Sequence, residues 1–131
     1  MKKITFIICF LFISTSLFSQ NREGSIFYSF VEKTDTEYKI SVDIYEVEKI
    51  EFIKIELVDE NKNELVVETA ELALREGKYY LKFNDEEKEV VPEDITLSIK
   101  NEYNDIKYPQ INIKLLDKLL RLVDYSQKVF Y

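Results

Sequence analysis

The sequence predicts an all-β fold, an antiparallel β-sandwich that follows a cleaved signal peptide. Three observations lead to this prediction. Apolar and polar residues alternate with a period of two, which is typical of strands that bury one face. Polar turn-forming residues interrupt this alternation at short intervals, and no long helical periodicity appears before the C-terminus. The chain also begins with the charge and hydropathy pattern of a secretory leader.

Met1 to Ser19 has the layout of a bacterial signal peptide. Two lysines precede the nearly continuous apolar run 4–13, and small polar residues end the segment. The run is shorter than the about 20 residues that a membrane-spanning helix needs, so we expect cleavage after Ser19. A retained anchor is the alternative, because the residue three positions before the cleavage point is a leucine. Cys9 is not expected to carry a lipid, because the residues before it do not fit a lipidation site.

Residues 20–131 are sufficient for one hydrophobic core, and we expect them to form a single domain. Loss of Lys2 and Lys3 with the leader leaves 16 of the 18 basic residues against 25 acidic ones, a net charge of −9. This charge argues against nucleic acid as a partner, because it repels phosphate backbones. The single cysteine also leaves with the leader, so the exported domain has no disulfide. We expect a periplasmic, cell-surface or secreted protein that touches the membrane only through an uncleaved leader.

The central prediction is a β-hairpin between Ile50 and Ala70. Ile53, Ile55 and Leu57 alternate with polar residues, and the alternation resumes after the turn formers 59–63. Such a loop of four to five residues is typical of hairpins built around a type I turn. The remaining chain is expected to complete two sheets around this hairpin.

Further strands are predicted on both sides of the hairpin. The alternation is clearest between Tyr38 and Tyr45, which predicts a strand with one buried face and one face toward solvent. Residues 71–77 fit either a helical turn or a strand that crosses between sheets. Residues 84–87 are predicted to be a turn. The other expected strands are 26–31, 79–83, 89–91 and 95–99.

The C-terminal segment has two interpretations. Residues 111–117 repeat the I-x-I-x-L-x-D pattern of residues 53–59, and in both we predict a strand that enters a turn at the aspartate. The pattern is too short to establish an internal repeat. Residues 115–125 fit an amphipathic helix as well as a terminal strand pair, and we favour strands. The side chains that this segment is then expected to contribute to the core are Ile111, Ile113, Leu115, Leu120 and Leu122.

This arrangement of strands resembles the immunoglobulin-like and fibronectin type III-like modules of bacterial exported proteins. The resemblance concerns architecture only. The chain has no tryptophan and the exported part no cysteine, so the disulfide and tryptophan of antibody domains are absent. The resemblance implies a β-sandwich, and it implies no particular activity because a fold carries no function with it.

The residue types that most catalytic and metal sites need are missing from the exported domain. Without histidine and cysteine it has no histidine base, no thiol nucleophile and no zinc site of the usual kind. The loop 59–63 begins like a calcium loop, but the later positions lack its glycine and its bidentate glutamate. The acidic pairs 86–87 and 93–94 fall in predicted turns. We therefore expect no enzyme activity, no metal and no cofactor.

Tyrosines are the remaining candidates for a functional surface. Tyrosine is enriched at protein interfaces but is also a good strand former, so both roles are open. The tyrosines expected on an interaction surface are Tyr45, Tyr80, Tyr103, Tyr108 and Tyr125. The predicted function is that of a non-enzymatic module that contacts an unidentified protein in the cell envelope. The alternative is a small β-barrel that carries a hydrophobic ligand in an apolar cavity.

Overall fold

The computed structural model describes residues 25–103 and 105–131. This part of the chain is an all-β, antiparallel fold of two sheets, which confirms the predicted class at that level. Its one helical element is the short 3₁₀ helix Val47–Lys49. The strands are β1 Phe27–Lys33, β2 Glu37–Ile44, β3 Phe52–Val58, β4 Glu64–Arg75, β5 Lys78–Phe83, β6 Glu86–Val90, β7 Ile95–Lys100, β8 Gln110–Leu116 and β9 Leu122–Val129.

The strands divide into a small sheet and a large sheet. The small sheet has the order β1-β2-β7, and the large sheet has the order β6-β5-β4-β3-β8-β9. Every neighbouring pair is antiparallel. The chain leaves the small sheet after β2, returns to it for β7, and ends in the large sheet.

One face of each sheet contributes to a shared core. On β2, Tyr38, Ile40, Val42 and Ile44 are fully buried, and the residues between them are partly or fully exposed. The alternation that predicted the strand therefore also defines its buried face. The fully buried aliphatic residues that face them from the large sheet are Ile53, Ile55, Leu57, Ala70, Ile111 and Leu115.

The centre of the large sheet is approximately two-fold symmetric. The two I-x-I-x-L-x-D segments, 53–59 and 111–117, lie on the neighbouring strands β3 and β8. These strands pair with Ile55 directly opposite Ile113. A shift of 58 residues, from 55 to 113, relates one strand to the other, so an approximate two-fold axis passes through this pair.

The hairpins on either side of the axis have the same register. Ile53 pairs with Ala70 on β4, and 58 residues later Ile111 pairs with Lys128 on β9. The shift in register near the turn also falls at equivalent positions of the two hairpins. The short sequence echo therefore corresponds to a structural repeat of strand, turn and returning strand.

The first of these turns is held by the carboxylate of Asp59. Its Oδ1 accepts hydrogen bonds from the backbone N–H groups of Asn61 and Asn63, both at 2.9 Å. Lys62 has a φ of 68°, and its N–H donates to the backbone oxygen of Asp59 at 3.0 Å. Backbone hydrogen bonds, above all that from Asn63, hold the pKa of Asp59 below its usual value.

The second turn repeats these hydrogen bonds. Asp117 Oδ1 accepts from the N–H groups of Leu119 and Arg121, both at 2.9 Å. Leu120 has a φ of 63°, and its N–H donates to the backbone oxygen of Asp117 at 2.9 Å. Hydrogen bonds from the backbone, above all that of Arg121, lower the pKa of Asp117. The aspartate that ends the repeated pattern is thus the residue that organises both turns.

Strand β4 is longer than the sequence indicated. The ambiguous segment 71–77 is mostly strand, because β4 continues to Arg75 and pairs there with β5. A two-residue turn follows, in which Glu76 and Gly77 have φ values of 52° and 79°. Two positive φ values in succession are typical of the tight type I′ hairpin turn, in which glycine is strongly preferred.

The predicted turn over residues 84–87 was wrong in length. Only Asn84 and Asp85 form the turn, with φ values of 53° and 64°. Asparagine and aspartate tolerate this left-handed conformation, so two residues are enough to reverse the chain. The acidic pair 86–87 therefore belongs to β6, whereas the pair 93–94 follows β6 at a turn.

The C-terminal segment forms strands β8 and β9, as favoured, rather than an amphipathic helix. Ile111, Ile113 and Leu115 lie in the core, as predicted. The prediction was wrong for two leucines, because Leu120 is 62% exposed and Leu122 is 54% exposed. Leu120 belongs to the turn, and Leu122 pairs with Leu116 at the start of β9.

The predictions for the leader concern a part of the chain that the structure does not describe. Met1 to Ser19, with Cys9, lies outside the described residues, which begin at Ser25. Among the described residues, no helix has both the length and the apolar composition needed to cross a membrane.

The two sides of the fold differ. On one side β1 meets β9: the Ile26 N–H donates to Asp124 Oδ2 at 3.1 Å, and the hydroxyl oxygens of Ser29 and Ser126 lie 2.6 Å apart. Both contacts are buried. On the other side the outermost strands are β7 and β6, and the six-stranded sheet is wider than the three-stranded one. The fold is thus closed by side chains along one side and open along the other.

Candidate functional site

A groove runs along the open side, between β7 and strands β4 to β6. It consists of two adjoining clefts of about 740 Å³ and about 690 Å³, both of which reach Asn84 and Ser98. We call it the β7 groove. It is defined by strand β7 on one side and by the side chains of Val66, Glu68, Leu81, Phe83 and Glu86 on the other.

The floor of the β7 groove is apolar. Leu81 pairs with Leu72 across β5 and β4, and both belong to the core. Phe83 lies two residues further along β5, on the same face, and is half-buried. In the described part of the chain the small sheet ends at β7, so no further strand covers the inner face of β5 and β6.

One edge of β7 has no partner strand among the described residues. The Asn101 N–H donates to the Thr36 backbone oxygen at 2.9 Å, so the backbone N–H and C=O groups of Asn101 are directed toward β2. Because these groups alternate in direction along a strand, those of Thr96, Ser98 and Lys100 point away from β2. Three residues therefore present free donors and acceptors to the β7 groove.

The sequence of β7 gives this edge little protection. Natural proteins protect exposed strand edges with charged side chains, proline or bulges. Strand β6, which is also an edge strand, has the charged sequence Glu86-Glu87-Lys88-Glu89. Strand β7 reads ITLSIK, and its one charged residue is Lys100. The edge of β7 is therefore better suited than that of β6 to pair with another chain.

The β7 groove is lined with more acidic than basic residues. Its basic residues are Lys88 and Lys100. Two of the carboxylates have a partner, since Glu37 accepts from the Ser98 hydroxyl and Glu87 from Arg75 at 2.8 Å. The acidic residues of the groove are Glu37, Glu68, Glu86, Glu87 and Glu102.

A second polar cluster surrounds Glu56 on the outer face of the large sheet. The Glu56 side chain is 3% exposed and lies 3.4 Å from Lys54 Nζ and 3.2 Å from Lys114 Nζ. Asn112 Nδ2 donates to Glu56 Oε1 at 3.3 Å. Burial raises the pKa of the Glu56 carboxyl, but the hydrogen bonds from Lys114 and Asn112 and the charge of Lys114 outweigh burial and lower it.

Two of the five predicted tyrosines lie on this outer face. Tyr80 is on β5, where the Arg75 guanidinium lies 4.3 Å from the centre of its ring. Tyr125 is on β9 and is 39% exposed. Four strand spacings separate β5 from β9 in the sheet, a distance of about 19 Å. The two side chains share a face but form no common patch.

The other three tyrosines lie outside the strands. Tyr45 follows β2 and is 62% exposed. Tyr103 and Tyr108 both belong to the connection between β7 and β8, but Tyr103 packs against the core. Tyr108 is 51% exposed, and its ring centre lies 5.7 Å from that of Tyr131. The structure therefore does not bring the five tyrosines together on one surface.

The oxygen atoms of the calcium-like loop are engaged in the turn itself. Asp59 Oδ1 accepts the two backbone bonds described above, and Asp59 Oδ2 accepts from Asn63 Nδ2 at 3.1 Å. Across residues 25–103 and 105–131, no group of three or more side chains is arranged to hold a metal ion. The aspartate at the head of the loop thus has a structural role.

Comparisons with models of protein families, with curated proteins and with solved structures found no match to this chain.

The β7 groove was not predicted from the sequence. The residue pattern of β7 indicated an ordinary strand, and only the order of strands in the sheets makes that strand an edge. One signal was present: Thr96 and Ser98 are uncharged on the polar face of β7, whereas the whole of β6 is charged until Val90. That contrast indicates an edge only once both strands are known to be outermost.

Proposed function

We propose that this chain is an exported, non-enzymatic binding module whose protein partner adds an extended strand to β7. The observation that carries the proposal is the free, weakly charged edge of β7 beside an open groove. In this mode of recognition, main-chain hydrogen bonds provide affinity and pockets for alternate side chains provide specificity. The added strand would lie over Leu81 and Phe83 and cover the part of the large sheet that extends beyond β7.

The partner strand is expected to be cationic. Five acidic and two basic residues line the β7 groove. Glu68 and Glu86 lie on the same inner face of the large sheet as Leu81 and Phe83. Every second residue of the added strand would therefore point inward, where an apolar side chain would reach the floor and a lysine or arginine would face Glu68 or Glu86. Complementary charge raises the association rate and disfavours acidic partners, including a second copy of this chain.

We also propose that the domain is immunoglobulin-like. If β5 and β6 are treated as an additional hairpin, the small sheet β1-β2-β7 corresponds to strands A, B and E. The large sheet, in the order β9-β8-β3-β4, then corresponds to G, F, C and C′. Export depends on the leader predicted at Met1 to Ser19.

Site-specific photocrosslinking in the producing cell tests the partner. A photoreactive residue at Thr96, exposed on β7, should form an adduct with one envelope protein. The same residue at Gln127, exposed on the edge strand β9, is the matched control and should not. Equal adducts from both positions, or none from Thr96, would contradict the proposal. A band at twice the mass of the chain would contradict the charge argument.

A proline at the edge tests the mode of binding. Ser98→Pro removes an N–H that points away from β2, so the pairing of β2 with β7 keeps its hydrogen bonds. We expect loss of the Thr96 adduct. Ser98→Ala, which keeps the N–H but loses the hydroxyl, should retain the adduct. Stoichiometric binding of a hydrophobic fluorescent dye by the native domain would instead favour the carrier of a hydrophobic ligand.

A further inference from the structure

The turn between β8 and β9 carries exposed leucines. Leu119 and Leu120 are each 62% exposed, and Leu122 is 54% exposed. Leu120 and Leu122 also line a shallow depression of about 380 Å³, together with Lys54 and Lys114. We call Leu119, Leu120 and Leu122 the leucine patch. A contiguous exposed apolar surface of this kind marks an interaction site more often than a scattered residue does.

The equivalent turn of the molecule shows that the fold does not need these leucines. Under the shift of 58 residues, from 55 to 113, Leu119 corresponds to Asn61 and Leu120 to Lys62. The two turns have the same hydrogen bonds and the same positive φ. A left-handed conformation is unfavourable for leucine, and leucine is a poor choice for a solvent-exposed turn. Neither turn geometry nor core packing accounts for the leucine patch.

Basic residues surround the leucine patch, although the whole chain has a net charge of −7. Lys118 and Arg121 belong to the same turn, and Arg121 Nε donates to Asp117 Oδ2 at 2.8 Å. On the adjacent face, Lys54 and Lys114 share the single carboxylate of Glu56. These four basic side chains outnumber the two carboxylates that pair with them, Asp117 and Glu56, so they can attract an anionic partner.

The patch lies at the end of the domain where the chain enters it. The Ile26 N–H donates to Asp124, and Asp124 pairs with Leu115 two residues before the turn at Asp117. The 24 residues that precede Ser25 include the predicted leader with its apolar run 4–13. The leucine patch is thus at the end of the domain to which the segment with the predicted leader is joined.

We propose that the leucine patch binds the surface of a membrane that contains anionic lipids. Leu119 and Leu120 project from the turn and Leu122 from the start of β9, so they are suited to insertion into a flat interface. Lys54 and Lys114 line the depression beside them. Apolar insertion and attraction of basic residues to anionic lipid are the two contributions that hold peripheral proteins on membranes. This surface is separate from the β7 groove and leaves it free for a protein partner.

The chain has no tryptophan, so a single introduced tryptophan reports on one position. In the protein purified after export, the tryptophan of Leu119→Trp should shift its fluorescence emission to shorter wavelengths with vesicles of phosphatidylcholine and phosphatidylglycerol. Vesicles of phosphatidylcholine alone should give little shift, and added salt should weaken the response because it screens the basic residues. Asn61→Trp, at the equivalent position of the other turn, is the matched control and should not respond.

A second substitution tests the contribution of the leucines. Leu120→Asn in the Leu119→Trp background should weaken vesicle affinity by about tenfold or more, the factor expected for one buried leucine. Asparagine tolerates the positive φ, so the turn is preserved. Three results would each overturn the proposal: no shift at Leu119→Trp, an equal shift at Asn61→Trp, or an equal response to wholly zwitterionic vesicles. An unchanged affinity in the Leu120→Asn variant would do the same.

Discussion

Replacement of Glu56 by glutamine should destabilise the domain in a pH-dependent way. Glutamine keeps the shape of the side chain and one acceptor oxygen, so the bond from Asn112 at 3.3 Å can persist. The change removes the charge that faces Lys54 at 3.4 Å and Lys114 at 3.2 Å. These two lysines lie directly opposite each other across β3 and β8, so without the carboxylate they repel one another.

The expected loss follows from the exposure of the three groups. The Glu56 side chain is 3% exposed, but Lys54 and Lys114 are 34% and 36% exposed, so water screens both pairs. Each pair is then closer to a surface ion pair than to the about 3–5 kcal/mol of a dry one. Two such pairs, with the added repulsion of the lysines, give a loss of about 1–2 kcal/mol in the free energy of unfolding.

Urea denaturation of both proteins at neutral and acidic pH measures this loss. The folded pKa of Glu56 is lowered, so its contribution is fully present above the unfolded pKa of about 4.3 and disappears as the pH falls through the folded value. The difference in the free energy of unfolding between wild type and Glu56→Gln should therefore be largest near neutral pH and become smaller at acidic pH. Equal differences at both pH values, or none at neutral pH, would refute the electrostatic argument.

A matched substitution separates this site from a general effect of charge. Glu87→Gln removes an ion pair to Arg75 on the same face of the sheet, in which both side chains are about half exposed. Surface pairs of this kind contribute little, so this variant should unfold close to wild type. A loss as large as that of Glu56→Gln would mean that the number of charges on the face, rather than burial, determines stability.

Three further predictions concern the repeated hairpins. Leu120→Gly should raise the free energy of unfolding by about 1 kcal/mol in urea titrations, because it relieves a leucine at positive φ; an unchanged or lowered value would contradict that strain. Ile113→Ala should lower the free energy of unfolding by about 2–5 kcal/mol because it opens a cavity beside Ile55, whereas Leu122→Ala should leave that free energy nearly unchanged in the same titrations. Calcium should leave the melting temperature unchanged, since the turn already uses both oxygens of Asp59, and a rise that Asp59→Ala abolishes would show a real site.

The strands were predictable where burial alone decides the residue pattern. Along β2 every second residue from Tyr38 to Ile44 is fully buried, so the sequence alternates without interruption. The pair of aspartates at 59 and 117 was also informative, because an aspartate after an alternating strand accepts the backbone bonds of a following turn. Local chemistry was sufficient in these segments.

The predictions failed where tertiary position decides. Leucine is a residue type typical of the core, but Leu120 lies in a turn and Leu122 lies on the outer face of the large sheet. The β7 groove depends on a difference in width between the two sheets, and the order of non-adjacent strands determines it. The distances between the five tyrosines were likewise beyond the sequence, because a period of two fixes the face of a strand but not the neighbouring strands.

The approximate symmetry of the large sheet has a consequence for folding. The β3–β4 and β8–β9 hairpins each close over a short turn, so both can form early from local contacts. The pairing of β3 with β8 joins residues 58 positions apart, from Ile55 to Ile113, and requires closure of a long loop. Folding should therefore begin with the two equivalent hairpins, β3–β4 and β8–β9, and continue with the slower pairing of β3 with β8.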